Sequence, residues 1–392
     1  MNAMDRLRAA RPDYYDSPLD ARTRTEELSF AMAQPRTPRP DRLRRRTWDL
    51  GLVGVAAATA IAIGVGVGLG GATGLGRGTS GGGETPPGGA VAASSTQGGD
   101  RKPAVRLSAR KVLLVAAQAS LQAPEESGAY WYVESVSGQN DEAGGAARYT
   151  VTTKIRHRLW VARSPREESW FVDQNLGTRP APGSEDAWRE DGAPTRWTVA
   201  AGDKPGMNLL LEAKAGKPYG NAVNSGDRVF ELAGRNVSVA DLQTLPSDPA
   251  ELKRYLLRGY QGHDTESNTP QDADSWLFQV TARLLRDMPV KPAVRAAAYQ
   301  MLAGLDGVRS LGEVTDAMGR DGLGIARTER RPDGQVERWL IIDPATGILL
   351  SEQFVAVDLT GPRSWAKRGT VLHWQATMKA GWTNEKPATP TQ

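Results

Sequence analysis

The sequence predicts an α+β domain, a curved antiparallel sheet with helices on one face, carried outside a membrane on a single apolar helix. Three observations predict it. Leu50 to Gly76 is an uncharged run of Ala, Gly, Val, Ile and Leu, with Arg42, Arg44, Arg45 and Arg46 just before it. Tyr149 to Val161 alternates apolar and polar residues, the period of a strand with two different faces. After Gly307 strand-like segments follow one another with only tight turns between, which makes an antiparallel meander and not βαβ units.

Residues 1–49 read as a cytoplasmic tail. Asp20 to Ala33 can form one helix with Leu28 and Met32 on a single side, and Pro35, Pro38 and Pro40 stop regular structure before the membrane. Such a tail, over residues 1–47, is a candidate docking segment for a cytoplasmic regulator. Residues 50–76 are the spanning helix. About 20 apolar residues cross a hydrocarbon core of about 30 Å, and Leu50 to Gly70 already suffices at about 1.5 Å per residue. The run holds many glycines, which weaken a helix in water. In lipid an unpaired backbone costs more than glycine does, so the helix is enforced. A basic flank before the run and a neutral one after it place the N-terminus in the cytoplasm and the C-terminal bulk outside. Gly64 and Gly68, Gly66 and Gly70, and Gly70 and Gly74 have the spacing that lets two such helices approach, a candidate homodimer face. Residues 77–104, rich in Gly, Ser, Thr and Pro, form a tether.

Residues 105–392 form the outer domain. Leu107 to Gln122 reads as a helix with Val112, Val115, Ala116 and Ala119 in one stripe, and the aromatic, β-branched Tyr130 to Val133 reads as a strand. The alternating stretch is one long strand, buried on one face and wet on the other, and Ser169 to Asp173 pairs with it. Residues 176–226, heavy in Gly, Pro and charge, read as loops or insertions. Asp248, Pro249 and Glu251 cap a helix that stops at Gly259, a residue suited to a left-handed C-terminal turn. Helices over Ala273 to Arg286 and Pro292 to Ala303 follow. Five strands then cover Val308 to Val314, Gly322 to Thr328, Val336 to Ile342, Ile348 to Val355 and Thr370 to Ala380.

Composition excludes several function classes. The chain of 392 residues has no cysteine, so disulfides, thiolate metal sites and cysteine nucleophiles are absent. Of the formal charge of +4, three units sit in residues 1–49, where eleven arginines face eight acids. The basic excess is thus a membrane flank that meets anionic headgroups, not a nucleic-acid surface. No nucleophile elbow, P-loop or kinase signature occurs. Gly319 to Gly324 lies in a β meander with no helix to cradle a phosphate. His157, His263 and His373 lack metal-ligand spacing, and His157 falls on the apolar face of its strand. The expectation is a protein that is not an enzyme, with no catalytic, cofactor or metal residues. Ten of the eleven tryptophans lie beyond the apolar run. Trp131, Trp160 and Trp170 either fill a core or line a groove that holds a lipid or an extended peptide, with Trp160 opposite in parity to Leu159 and Val161.

Four segments carry a resemblance: Met4 to Arg8, Leu245 to Pro249, Val294 to Tyr299, and Leu340 to Gly347 (LIIDPATG). With them the chain resembles an uncharacterised family of single-pass membrane proteins of high-GC Gram-positive bacteria, often encoded beside extracytoplasmic-function sigma factors. The Asp343-Pro344-Ala345-Thr346-Gly347 hairpin in a long-stranded sheet is similar to lipoprotein-carrier and sigma-regulator periplasmic domains, which implies a half-barrel sheet covered by helices. The tail lacks the His and Cys pattern of a zinc-binding anti-sigma domain. The resulting expectation is a membrane-anchored binding or sensing protein linked to sigma-factor or envelope regulation. The alternatives are a structural envelope scaffold and a hydrolase with an unrecognised site.

Overall fold

The computed structural model describes residues 107–200, 208–223, 228–265 and 269–387. A nine-stranded sheet runs through them, with every neighbouring pair antiparallel. Its first part comprises β1 (Tyr130–Ala143), β2 (Tyr149–Ala162) and β3 (Trp170–Pro180). Beyond two short strands that stand apart, β4 (Arg196–Ala200) and β5 (Asn208–Glu212), β6 (Tyr219–Ala222) joins the edge beside β3. A small hairpin, β7 (Phe230–Leu232) with β8 (Arg235–Val237), precedes the helices. The expected meander follows as β9 (Arg309–Thr315), β10 (Asp321–Arg331), β11 (Gly334–Ile342), β12 (Leu349–Leu359) and β13 (Val371–Thr383). β13 returns to pair with β1, giving the order β6-β3-β2-β1-β13-β12-β11-β10-β9. Register breaks in the β1–β13, β2–β3, β9–β10, β11–β12 and β12–β13 ladders bend the sheet.

The main helices are α1 (Ala109–Leu121), α2 (Glu185–Glu190), α3 (Val239–Gln243), α4 (Pro249–Leu257), α5 (Ala273–Asp287) and α6 (Pro292–Leu302). Asp248 caps α4 by accepting from the amides of Ala250 and Glu251, and Asp272 caps α5 by accepting from that of Ser275. α5 is enclosed nearly all round. Trp276, Leu277, Phe278 and Leu284 are fully buried, each stabilising the fold by roughly 1.5–3 kcal/mol. They join α1, α4 and α6 in one apolar cluster with Trp131, Val133, Leu159, Val161, Ile325, Leu340 and Ile342 of the sheet. The helices that make this cluster therefore share one face of the sheet.

Asp343 to Gly347 pins this layer. The Asp343 carboxylate accepts from the Ala345 amide and the Thr346 hydroxyl. The Gly347 carbonyl accepts from the Tyr299 hydroxyl of α6 at 2.8 Å. Gly347 has φ +70°, and a Cβ there would lie 2.5 Å from the Ala116 carbonyl oxygen of α1. The motif works as a packing joint between two helices and a turn.

Several expectations are corrected. Residues 176–226 are not simply loops: they carry the end of β3, α2, β4, β5 and β6. Their Gly and Pro content masks strands only four or five residues long. The buried stripe of α1 is Val112, Leu113, Ala116, Ala117 and Ser120, while Val115 is exposed. With apolar residues all round this helix, periodicity alone could not choose the face. Gly259 ends α4 without a left-handed turn; a Cβ there would lie 2.1 Å from the Ala233 carbonyl oxygen. β2 is not dry on one side and wet on the other. Both of its ends are buried on both faces and its middle is half-buried on both, because different elements pack over each end. Among the described residues no helix is long and apolar enough to cross a membrane. The Leu50–Gly76 run, its glycines, and Arg42, Arg44, Arg45 and Arg46 lie outside the described residues.

Candidate functional site

The β1–β2 ladder keeps one register throughout, so Trp131, Val133, Ser135, Ser137, Gln139, Asp141 and Ala143 share a face with Val161, Leu159, His157, Ile155, Thr153, Val151 and Tyr149. One end of this face belongs to the helix-covered core through Trp131, Val133, Leu159 and Val161. At the other end Ala143, Tyr149 and Val151 pack under Trp197 and Val199 of β4 and Leu209 and Leu211 of β5. The Trp197 indole donates to the Tyr149 hydroxyl at 2.9 Å, which fixes this small flap. Leu159 and Val151 are eight residues apart, about 26 Å of strand. Between these covers Ser137, Gln139, Thr153, Ile155 and His157 are all half-buried. The result is a trough, walled at both ends and floored by the middle of the sheet.

The floor is polar, and most of its groups are paired with one another. The Ser137 hydroxyl lies 2.9 Å from His157 Nε2, and His157 Nδ1 lies 2.9 Å from Asp173 Oδ1 of β3. In the neutral tautomer that puts its proton on Nδ1, facing the carboxylate, Nε2 is left to accept from the Ser137 hydroxyl. The cross-strand register sets this chain of bonds, with His157 opposite Asp173 on one side and Ser135 on the other. Tyr219 of β6 stands opposite Asp173; burial and then the Asp173 carboxylate push its phenol up. The Thr153 and Thr178 hydroxyls are 2.8 Å apart. On β13 Gln375 stands opposite Ser137 and donates to Ser135 Oγ at 3.2 Å. Asp141, at the flap end, accepts from Gln139 at 3.1 Å. Burial pushes its carboxyl up to about 6, opposed by the Gln139 bond.

Beyond β13 the same face becomes a buried charge network. Glu352 of β12 pairs with Arg286 of α5 and with Arg338 of β11. Arg338 also donates to Glu329 at 2.5 Å, and Arg286 to Asp287 at 2.8 Å. Glu352 is buried, yet the two guanidiniums hold its carboxyl below the usual range. His373 stacks on Phe354 with ring centroids 4.0 Å apart. Burial first, and then Arg331, Arg338, Arg363 and Arg286, push its imidazole well down, so it is neutral. This network ties α5 to β11 and β12 of the sheet. A cavity of about 550 Å³ opens near the start of α5, beside Asp272 and Ser275. Both are already tied to Arg327, at 2.9 and 3.0 Å.

The three tryptophans singled out in the sequence are not brought to one groove. Trp131 is buried under the helices, its indole donating to the Asp287 carbonyl at 2.8 Å. Trp160 lies on the opposite face of the sheet, where it packs against Tyr132 at 4.9 Å. Trp170 is its direct cross-strand partner. Adjacent strand residues face opposite ways, so position 160 could not share the face of Leu159 and Val161. Ser137, Asp173 and Gln375 were not singled out at all. The one signal for them was His157 on the strand face it shares with Leu159 and Val161, since a half-buried imidazole needs partners from neighbouring strands. Among the described residues no group of three or more His, Asp or Glu is placed to hold a metal ion.

Fold and site together define an α+β domain with a helix-covered sheet and a half-open polar trough. No protein-family model matches the chain. No curated protein matches it either. Among solved structures it is similar to MucB (12% identity, covering 71% of this chain and 60% of that one, TM-score 0.21). It is also similar to a chain of the Pseudomonas aeruginosa MucA/MucB complex (14% identity, covering 70% and 56%, TM-score 0.20). The chain thus spans less than two thirds of the length of each of these two structures.

Proposed function

We infer that this protein is a membrane-anchored extracytoplasmic binding protein whose trough holds an extended polar ligand, a peptide segment. Occupancy outside is passed through the single helix to the tail at residues 1–47, in the service of envelope or sigma-factor regulation. The observation that carries the binding step is the trough floor, half-buried and lined by Ser137, Gln139, Thr153, His157 and Asp173 between two covered ends. These groups are bonded to one another, and an acyl chain laid there would offer nothing to the hydrogen-bonding capacity they have left. A peptide backbone brings one donor and one acceptor per residue and pairs with them. The anchor and the outward orientation rest on Leu50–Gly76 and its arginine flank.

A photo-crosslinking residue at Thr153 of the full-length protein in its own membrane tests the reading. A peptide adduct, lost when competing peptide is added, is the expected result. A lipid adduct, or none while an exposed control position crosslinks normally, overturns it. The signalling arm is tested by a two-hybrid assay of residues 1–47 against the cognate sigma factor. No interaction, together with unchanged transcription on deletion, leaves only a scaffold.

A further inference from the structure

Ser137, His157 and Asp173 stand on three adjacent strands in the chemical order hydroxyl, imidazole, carboxylate. Nε2 faces the hydroxyl and Nδ1 faces the carboxylate, each at 2.9 Å. That is the arrangement in which an imidazole can take the hydroxyl proton while the carboxylate steadies the imidazolium. The histidine and aspartate side chains are 13% and 17% exposed, shielded enough for the charges to interact and open enough for a substrate to reach the hydroxyl.

We propose that Ser137 is a nucleophile and that the trough hydrolyses carboxylic esters laid along its floor. In the first step Ser137 Oγ bonds to the ester carbonyl carbon and its proton passes to His157 Nε2. The carbon–oxygen bond to the alcohol then breaks, and the alcohol leaves with that proton. In the second step a water oxygen attacks the acyl carbon, its proton passes to Nε2, and Ser137 Oγ leaves and recovers the proton. Ester and water become acid and alcohol, and no other reactant is required. The β1 backbone amides are engaged in the sheet ladder, so the donor to the developing oxyanion is a side chain. Gln375 stands directly opposite Ser137, and its Nε2 carries a second proton besides the one given to Ser135. A single amide donor suits an ester, whose alkoxide leaves more readily than an amine. The location of the ester rests on the binding reading above, but the covalent chemistry does not.

The full-length protein in detergent is treated with an aryl fluorophosphonate, adducts are mapped by mass spectrometry, and p-nitrophenyl acetate turnover is followed in parallel. One adduct, on Ser137, is expected, and none in Ser137→Ala. His157→Gln and Asp173→Asn should each slow labelling by at least about 100-fold. Gln375→Ala should slow ester turnover by about 100-fold while Thr153 crosslinking persists. Near-UV circular dichroism identifies variants that retain the fold. A relay that only ties three strands together would leave Ser137 unlabelled, or labelled no faster than in folded His157→Gln, and either result overturns the proposal. Crosslinking at Thr153 without a Ser137 adduct removes the nucleophile and keeps the binding protein; an adduct without crosslinking does the reverse.

Discussion

Asp141 offers a quantitative test of how the trough ends under the flap. Asp141 is 7% exposed and its carboxylate receives one bond, from Gln139, so burial pushes it from 3.8 up to about 6. The folded state thus holds its proton more tightly than the unfolded chain. The associated stability is fully present below pH 3.8 and is lost as pH rises through about 6. At roughly 1.4 kcal/mol per pKa unit, the ionised carboxylate costs the fold about 3 kcal/mol at pH 7.5. Asp141→Asn removes the charge with little change of shape. Chemical denaturation should find the variant more stable by about 3 kcal/mol at pH 7.5 and by only about 0.5 kcal/mol at pH 4. Equal effects at both pH values would refute the reasoning, as would a loss of stability at pH 7.5, which would mean the carboxylate is well solvated or paired.

Two further predictions concern the helix layer. Glu352→Gln leaves Arg286 and Arg338 buried side by side and should cost about 3–5 kcal/mol by denaturation. Because Glu352 is held below 4.5, its contribution is present above that pH and lost as pH falls through the lowered value, so the variant should also lose the acid-side part of the stability profile. Gly347→Ala combines a left-handed backbone with a Cβ 2.5 Å from the Ala116 carbonyl. It should lower the melting temperature more than Gly312→Ala, where φ is +78° and the space is open; equal shifts would deny the packing role of the turn.

Local chemistry was readable where it acts over a few residues. The cap at Asp248, the helices from Ala273 and Pro292, and the five-strand meander all lie where short-range patterns put them. Propensity and turn chemistry are stored within one or two turns of chain. The short strands of residues 176–226 were not readable, since their stability comes from surfaces that the sequence does not place beside them. Nor was the stripe of α1, where apolar residues on every side leave the choice to the packing partners.

The site shows the same division. The sequence by itself determined that His157 sits on the face shared with Leu159 and Val161, because strand periodicity is a property of the backbone. It also determined an apolar run flanked by arginines and a chain without thiol chemistry. Only the tertiary structure decided that Ser137, twenty residues before His157, and Asp173, sixteen after it, meet the two ring nitrogens. It alone decided that Trp131 is core, with its indole on the Asp287 carbonyl, whereas the opposite face of Trp160 already followed from its place between Leu159 and Val161. Cross-strand register is set by bulges, turns and the covering helices acting together, and a shift of one residue would turn each of these side chains to the opposite face.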